Sequence, residues 1–144
     1  MTDGGLWYSG RGEQFKQFNV KDGYGILKLR RSGIGAGIIT GRASAIVQRR
    51  AAELDIADVH QNLHNKLDAF ERIKKKYALS DAEIAYIGDD EPDLEVLRRV
   101  GFSAAPADAM PAVLRIVDYV CERAGGKGAV REVVDLLLAA RSRE

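Results

Sequence analysis

The chain has 144 residues, enough for one domain with a core and too few for two. Its 22 Lys and Arg residues nearly balance its 21 Asp and Glu residues, and the net charge of +1 argues against a nucleic-acid partner held by a broad basic surface. A small anionic ligand needs only a local cluster of positive charge. No apolar run approaches the ~20 residues that cross a bilayer, so no membrane partner is expected.

Two features predict a cytoplasmic protein. Residues 1–5 lack the basic start and the apolar core of a signal peptide. Cys121 is the single cysteine, so no internal disulfide can form, as is usual in a reducing compartment. The apolar surroundings of this cysteine, residues 116–121, predict a buried structural thiol rather than a nucleophile.

The first twenty residues are predicted to form a β-hairpin flap, residues 5–20. Residues 6–8 and 15–20 are β-prone, and the segment Ser9-Gly10-Arg11-Gly12 between them supplies turn residues. A lone hairpin is marginally stable in water. We therefore expect its aromatic side chains to pack on a neighbour, such as another subunit.

The rest of the chain alternates between short apolar runs and helical patterns. Residues 34–40 form a continuous apolar run, typical of a strand that is covered on both faces. The alternation predicts an α/β fold in a single domain, residues 1–144, with a doubly wound, mostly parallel, Rossmann-like sheet. Further strands are predicted near Val59 and at 84–87, 102–105 and 117–121, and helices around 26–29 and at 43–54, 66–77, 93–100 and 128–141.

The segment after the first apolar run is a candidate phosphate site, because ligands of open α/β sheets bind beyond the carboxyl ends of the strands. Thr40, Gly41 and Arg42 combine a hydroxyl, a glycine that permits close backbone approach, and the amides of a helix start. The triplet also fits an ordinary N-cap threonine followed by a surface arginine. The motif alone leaves both interpretations open.

The segment Gly88-Asp89-Asp90-Glu91-Pro92-Asp93 follows the apolar run that ends at Ile87 and is rich in carboxylates. Such a cluster repels itself unless a cation or solvent screens it, and oxygen-rich sites suit magnesium. The alternative is a solvated acidic loop at the start of a helix. The position at a strand's carboxyl end favours a metal site among these four carboxylates.

Other polar residues carry weaker signals. Asp22 precedes a predicted helix and fits a bare N-cap, and nothing local distinguishes Lys66 from a solvated lysine. His60 and His64 lack the helical, Glu-flanked pattern of a zinc site, and surface or loop positions are expected for them. Residues 125–128 resemble a phosphate loop but lack the Walker spacing, so no P-loop is predicted.

The order of these segments is more specific than any one of them. Thr40, then Lys66, then the Asp89-Asp90 pair, each near a strand end, resembles the haloacid dehalogenase superfamily. Within it, the chain is most similar to the phosphatases of 3-deoxy-D-manno-octulosonate 8-phosphate (KDO 8-phosphate), from Thr2 to about Glu132. The matching segments are Thr2-Asp3-Gly4, residues 21–26 and 38–42, Gln61 with Lys66-Leu67, residues 86–90 with Pro92-Asp93, and residues 125–132.

This resemblance implies a Mg²⁺-dependent hydrolase that removes phosphate from a small acidic sugar of lipopolysaccharide synthesis. Thr40 would hydrogen-bond the transferring phosphoryl group, and Lys66 would neutralise its charge and position the nucleophile. Asp89 would be a direct Mg²⁺ ligand, with Asp90 and Asp93 in support. The residues that would border the substrate are Asp22, Gly41, Arg42, Arg49, Lys127 and Arg131.

The resemblance also implies a homotetramer. The hairpin and the glycine-rich tail with its C-terminal helix, residues 125–144, would help to complete a neighbouring subunit's site. That arrangement would account for Trp7 and Tyr8 in the hairpin. It would also give Lys127 and Arg131 an acidic sugar to bind.

One expected motif is absent from the 144 residues. The resembled family opens with an apolar strand that ends in Asp-x-Asp, whose first aspartate attacks phosphorus and whose second is the general acid and base. Here Thr2-Asp3-Gly4, which follows that motif in the family, comes directly after Met1. We therefore expect Met1 to be an internal methionine of a longer protein, and this chain alone to have little or no turnover. An in-frame stop codon just upstream, in place of the strand, would contradict this.

The absent strand is also expected to matter for the fold. It is central in the family's sheet, so two rows of backbone groups would lack partners, at ~1–3 kcal/mol for each buried group. Closing up of the flanking strands, or another segment in the gap, would relieve this cost. Asn65 is a lesser departure, because the family often has an acidic residue before the lysine.

Functions of other classes are weighed against this one. The main alternative is a non-catalytic sugar-phosphate-binding or scaffold protein, a pseudoenzyme that binds ligand without hydrolysis. A phospho-receiver domain also uses an acidic pair, Thr and Lys, but there the acidic pair comes first in the chain. A nicotinamide-binding domain is disfavoured because Gly33, Gly35 and Gly37 precede or lie within the strand instead of following it.

Overall fold

A computed structural model describes residues 1–10 and 12–142, without the side chains of Glu13 and Gln14. The strands are β1 (Trp7–Ser9), β2 (Gly12–Phe15), β3 (Gly37–Ile39), β4 (Asp58–His60), β5 (Ala85–Ile87), β6 (Phe102–Ala105) and β7 (Tyr119–Val120). The helices are α1 (Val20–Arg31), α2 (Ala45–Glu53), α3 (Lys66–Tyr77), α4 (Leu94–Leu97), α5 (Pro111–Leu114) and α6 (Ala129–Arg141). Short 3-10 turns lie at Asp81–Glu83 and Glu91–Asp93.

The N-terminal segment forms the predicted hairpin, with β1 and β2 paired antiparallel. The predicted turn residue Arg11 lies outside the described residues. The second strand was expected to run to Val20 but ends at Phe15, because Asn19 accepts a hydrogen bond from Lys21 N–H and caps helix α1. The N-cap interpretation of Asp22 is therefore wrong, since this residue lies inside the first turn of α1.

The remaining strands are all parallel, and they form two separate ladders. One ladder is β3-β4 and the other is β5-β6-β7. The predicted parallel α/β architecture is confirmed, but the described strands do not join into one continuous sheet. The apolar run 34–40 yields only the short strand β3, whose side chains are partly exposed, so the expectation of cover on both faces is wrong.

Three small apolar clusters hold the helices to the ladders. Ala104 of β6 packs with Cys121, Ala129 and Val133, which joins α6 to the β5-β6-β7 ladder. Leu97 of α4 and Val113 of α5 centre the second cluster, and α2 packs by Ala51 and Leu54 near β3 and β4 in the third. Helix α1 packs along α6. The prediction of a buried thiol at Cys121 is confirmed: the residue is 2% exposed and its Sγ lies 3.8 Å from the Ala129 carbonyl oxygen.

Two short helices depart from the sequence pattern. Helix α5 was not predicted and begins at Pro111, a residue suited to the first helical position because it needs no N–H partner there. Helix α4 covers only part of the predicted range 93–100. None of the described helices has the length and apolar character needed to span a bilayer.

Candidate active site

The carboxylate of Asp93 is the centre of the candidate site. Its side chain is 2% exposed, and its Oδ1 accepts hydrogen bonds from Lys66 Nζ at 2.7 Å and from the Tyr86 hydroxyl at 2.5 Å. Its Oδ2 accepts from the backbone N–H groups of Asp89 and Asp90, both at 3.4 Å. A buried carboxylate persists when it is paired and hydrogen-bonded, and these four donors meet that requirement.

Lys66 approaches Asp93 from helix α3, which follows the β3-β4 ladder. The loop after β4 ends at Asn65, whose side chain accepts a hydrogen bond from Leu67 N–H at 2.9 Å and so caps helix α3. Lys66 is thus the first residue of α3, at the carboxyl edge of the β3-β4 ladder. Its ion pair with Asp93 links that edge to the loop after β5. The sequence pattern placed both residues near strand ends but did not pair them.

Gly88 allows the loop after β5 to fold back over Asp93. A Cβ atom at this position would lie 2.5 Å from Asp93 Cβ and 2.8 Å from Asp93 Cγ. Real Cβ atoms do not approach other carbons so closely, so only glycine fits without a shift of the loop. The glycine therefore permits the two weak backbone hydrogen bonds that Asp93 accepts.

The loop after β3, residues 40–44 and here called the Thr40 loop, is hydrogen-bonded to the end of β4 and to the loop that precedes Lys66. Thr40 N–H donates to the His60 carbonyl at 2.9 Å, and the Thr40 carbonyl accepts from Leu63 N–H at 3.4 Å. The Thr40 hydroxyl accepts from Arg42 N–H at 3.3 Å. The alternative of an N-cap threonine is wrong, because Ser44 caps α2 by accepting a hydrogen bond from Val47 N–H. Thr40 instead lies in a loop at the carboxyl end of β3, four residues before that cap.

The acidic loop after β5 is under electrostatic stress. Partial burial raises the pKa of Asp89 above its ordinary value, and the charges of Asp93, Asp90 and Asp108 raise it further, while Lys66 opposes them. Neither carboxylate oxygen of Asp89 accepts a hydrogen bond from the described residues. Asp90 is less free, because its Oδ1 accepts from Glu91 N–H at 2.7 Å. A cation beside Asp89 would relieve the repulsion.

The described residues supply only some of the ligands that a magnesium ion needs. No three His, Cys, Asp or Glu side chains stand together as a metal-binding group in residues 1–10 and 12–142. Magnesium does not need such a cage, since it is commonly bound by one or two carboxylates together with waters and phosphate oxygens. Asp89 and Asp90 meet that smaller requirement. Both oxygens of Asp93 are engaged by protein donors, an arrangement compatible with a supporting role rather than direct ligation.

Asp22 joins helix α1 to the start of helix α6. Its Oδ1 accepts a hydrogen bond from Arg131 N–H at 2.9 Å, 109 residues away in the sequence. Its Oδ2 is buried and has no hydrogen-bond partner in the described part of the chain.

The basic residues predicted to border the substrate are placed unevenly. The Arg42 guanidinium donates to the Tyr8 hydroxyl, which ties the hairpin to the Thr40 loop. Lys127 is exposed in the glycine-rich segment, whose Gly125 N–H donates to Asp108 Oδ1 at 2.7 Å. Arg49 is exposed on α2, where it pairs with Glu53, and lines a cavity beside Phe15 of the hairpin. Gly41 is exposed in the Thr40 loop, with the Leu63 carbonyl 3.3 Å from where its Cβ would stand.

Three residues of this region were not singled out as functional from the sequence. Tyr86 lies in an apolar strand run and resembles an ordinary core residue, so periodicity hides its hydroxyl. Asp108 and Asn19 fix the glycine-rich segment, Asp108 through Gly125 N–H and Asn19 through a 3.3 Å hydrogen bond to the Gly126 carbonyl. The Asn19 contact joins residues more than one hundred positions apart, so no local spacing in the sequence predicts it.

Comparison with known proteins settles the family. The profile of haloacid dehalogenase-like hydrolases matches residues 42–133, well over half of the chain and including Lys66, Asp89 and Asp93. The chain belongs to the haloacid dehalogenase-like hydrolase family. The 3-deoxy-D-manno-octulosonate 8-phosphate phosphatase of Salmonella typhi is 46% identical over 143 residues, which make up 99% of this chain and 76% of that protein.

Solved structures agree with the haloacid dehalogenase-like assignment. The phosphatase of the same name from Yersinia pestis superposes with a TM-score of 0.96 at 43% identity, over 99% of this chain and 77% of that chain. The Moraxella catarrhalis phosphatase, solved with a magnesium ion, a phosphate ion and KDO, gives a TM-score of 0.93 at 42% identity, over 96% of this chain and 80% of that chain. This haloacid dehalogenase-like hydrolase is therefore an enzyme of the phosphatase type in both sequence and fold.

Proposed function

We propose that this chain carries the phosphate and metal site of a Mg²⁺-dependent phosphatase that releases phosphate from 3-deoxy-D-manno-octulosonate 8-phosphate. The observation that carries the proposal is the Lys66–Asp93 ion pair beside Asp89, at the carboxyl ends of parallel strands. The 46% identity to a phosphatase of that name extends over nearly the whole chain, which supports the substrate. A related acidic sugar phosphate of different chain length would meet the same charged groups.

The described residues suit the demands of phosphoryl transfer, which depends on positioning and on charge stabilisation. Lys66 is held by Asp93 with its ammonium group at the loop edge, where it can neutralise a phosphoryl oxygen. Thr40 offers a hydroxyl and nearby loop amides to the same group. A Mg²⁺ ion held by Asp89 and Asp90 would neutralise further charge on the phosphate.

The sugar end of the substrate is assigned to the basic residues around the Thr40 loop and the glycine-rich segment. Arg42 and Gly41 border the phosphate loop, and Lys127 and Arg131 offer positive charge to the sugar carboxylate. Asp22 holds the start of α6, through Arg131 N–H, where these cations lie. Two of these cations already have acidic partners, Arg49 with Glu53 on α2 and Arg131 with Asp135 on α6, so the sugar carboxylate must compete with those ion pairs.

Phosphate release from the octulosonate phosphate, with and without EDTA, tests the proposal on the protein expressed from its natural gene. Lys66→Ala should lower kcat/KM by about 10²–10³-fold, as for loss of an electrostatic donor at other phosphoryl and acyl sites. Lys75→Ala, an exposed lysine on the same helix, is the matched control and should leave activity unchanged. Equal activity in the Lys66 variant and the control would contradict the assignment.

We also propose that the polypeptide of residues 1–144 by itself turns over little substrate, because it contains no Asp-x-Asp segment. It should still bind ligand, since Lys66, Asp93 and Asp89 are in place. Robust phosphate release by this polypeptide would refute the proposal. The pseudoenzyme alternative makes a different prediction: Mg²⁺-dependent ligand binding by calorimetry, without hydrolysis, for the natural gene product as well.

We further propose a cytoplasmic homotetramer. The support is the exposed apolar surface of the hairpin, where Trp7 is 65% and Phe15 is 69% exposed. Exposed aromatic clusters of this kind are usual at protein interfaces. The single buried thiol of Cys121 fits a reducing compartment.

A further inference from the structure

Among the described donors to Asp93, Tyr86 is the one that comes from inside a strand. It is the middle residue of β5, and its ring packs against the cluster of Leu97, Ala105 and Val113. The packed ring leaves the hydroxyl little freedom. That hydroxyl lies 2.5 Å from Asp93 Oδ1, the same oxygen that accepts from Lys66.

Two donors on one carboxylate oxygen constrain each other. Lys66 sits at the end of a flexible four-carbon stem, and it enters the site from the β3-β4 ladder. The Tyr86 hydroxyl occupies one direction of approach to Asp93 Oδ1, so the Lys66 ammonium is confined to the other. The Asp89 and Asp90 N–H groups, both 3.4 Å from Oδ2, favour the same orientation of the carboxylate.

We propose that Tyr86 is a positioning residue of the phosphate site, which acts through Asp93 to aim the Lys66 ammonium group at the phosphoryl oxygens. This inference rests on the proposed function and goes beyond it, because it gives Tyr86 a role through its hydrogen bond to Asp93. The alternative is a core tyrosine whose hydroxyl merely satisfies a buried carboxylate. The two roles differ in whether removal of the Tyr86 hydroxyl changes the position of the Lys66 ammonium group.

Tyr86→Phe separates these roles without creating an orphaned charge. The ring and its packing remain, Lys66 still donates to Asp93 Oδ1, and the backbone N–H groups still donate to Oδ2. The variant is therefore expected to fold. Tyr119→Phe is the matched control. Tyr119 lies on strand β7, and its hydroxyl also donates to a carboxylate oxygen, Glu132 Oε1 on α6, at 2.9 Å.

Calorimetric binding of inorganic phosphate in the presence of Mg²⁺ is the first measurement, on the 144-residue protein. Tyr86→Phe should weaken phosphate binding by about tenfold, in line with a lost hydrogen bond to a charged group, while Tyr119→Phe should change it less than about twofold. In a Lys66→Met background, Tyr86→Phe should have no further effect, since a positioning residue needs the group it positions. In the natural gene product, KM should rise and kcat/KM should fall by at least the same factor, because the substrate phosphate meets the same ammonium group.

Equal phosphate affinity in Tyr86→Phe and unchanged protein, whatever the change in melting temperature, would overturn the inference. An undiminished effect of Tyr86→Phe in the Lys66→Met background would overturn it as well. If Lys66→Met does not fold, the comparison of Tyr86→Phe with Tyr119→Phe decides alone. Absence of phosphate binding by the unchanged protein would instead overturn the proposed function, so the two failures are distinguishable.

Discussion

The carboxylate of Asp93 shows how much of this site depends on one side chain. Its four donors come from the start of α3, from β5 and from the loop after β5. Removal of its charge would leave the Lys66 ammonium beside a neutral group in a mostly buried position. Substitution of a residue at the centre of such a hydrogen-bond network changes both stability and function.

Asp93→Asn should therefore reduce the free energy of unfolding by about 3–5 kcal/mol, the usual cost of breaking a buried ion pair from one side. Asp55→Asn is the matched control, because Asp55 pairs with Arg30 at the surface, with side chains 65% and 57% exposed. It should cost no more than about 1 kcal/mol. Urea unfolding of both variants measures the difference, and similar losses would contradict the central place given to Asp93.

Gly88→Ala tests the close approach of the β5 loop to Asp93. The added Cβ would stand 2.5 Å from Asp93 Cβ, so the loop must shift at a cost of about 1–3 kcal/mol, with loss of phosphate affinity. Gly35→Ala provides the control, since no described atom beyond its two chain neighbours lies within 4 Å of where its Cβ would stand. Thermal unfolding and phosphate calorimetry give the two readouts; a Gly88 variant that behaves like the Gly35 variant would refute the steric argument.

Single residues were predictable from the sequence only where a motif surrounds them. The acidic loop and the Thr40 triplet were found because each follows an apolar run, and Lys66 only through the resemblance. The hydroxyl of Tyr86 was not found, because a tyrosine in a strand run has the same pattern whether its hydroxyl is idle or bonded. The partner of Lys66 could not be found either, since the pair forms across two ladders.

At the scale of elements, the strands and helices follow local patterns closely, but the contacts that fix their ends are not visible in those patterns. Helix α3 was predicted from its apolar spacing, and its end at Tyr77 is set by Ala78, which adopts a left-handed conformation with φ of 53°. No sequence rule selects alanine for that conformation. The end of α3 is also held to strand β4, because Lys76 Nζ donates to Asp58 Oδ1 at 2.8 Å and the Tyr77 hydroxyl donates to Oδ2.

This contact between α3 and β4 predicts a dependence of stability on pH. Burial of Asp58 opposes its ionisation, but the hydrogen bonds from Lys76 and Tyr77 outweigh burial and lower its pKa. A carboxyl with a lowered folded-state pKa stabilises the protein above the unfolded pKa, near 3.9, and that contribution disappears as the pH falls through the folded value. Urea unfolding from pH 7 to pH 3 should show a shallower acid limb for Asp58→Asn, and an intermediate one for Tyr77→Phe. Parallel curves for all three proteins would exclude this contribution.

At the scale of the whole molecule, the sequence predicted the α/β class and the parallel strands, and the resemblance predicted the family. Each parallel ladder pairs strands that are consecutive in the chain, and no local pattern encodes that the two ladders remain unjoined. The same is true of the packing of α1 along α6 and of the ties from Asn19 and Asp22 to the start of α6. These long-range contacts, rather than any single motif, bring the loops of the site together.

The assembly is tested with the hairpin. If its aromatic surface joins subunits, Trp7→Ser should convert a tetramer into smaller species, because the exposed indole loses its apolar contact area. Val120→Ser changes another exposed apolar residue, on strand β7, and is the control. Light scattering coupled to size exclusion measures the mass; an unchanged mass for the Trp7 variant would remove the hairpin from the interface.

The single cysteine has a practical consequence for studies of motion. Burial raises the pKa of the Cys121 thiol to about 11, so at neutral pH the group is both shielded and unreactive in the closed protein. A thiol reagent can modify the chain only when α6 separates from the ladder beneath it. The labelling rate therefore reports the frequency of that opening with no engineered probe, and a ligand that fastens the start of α6 should slow it.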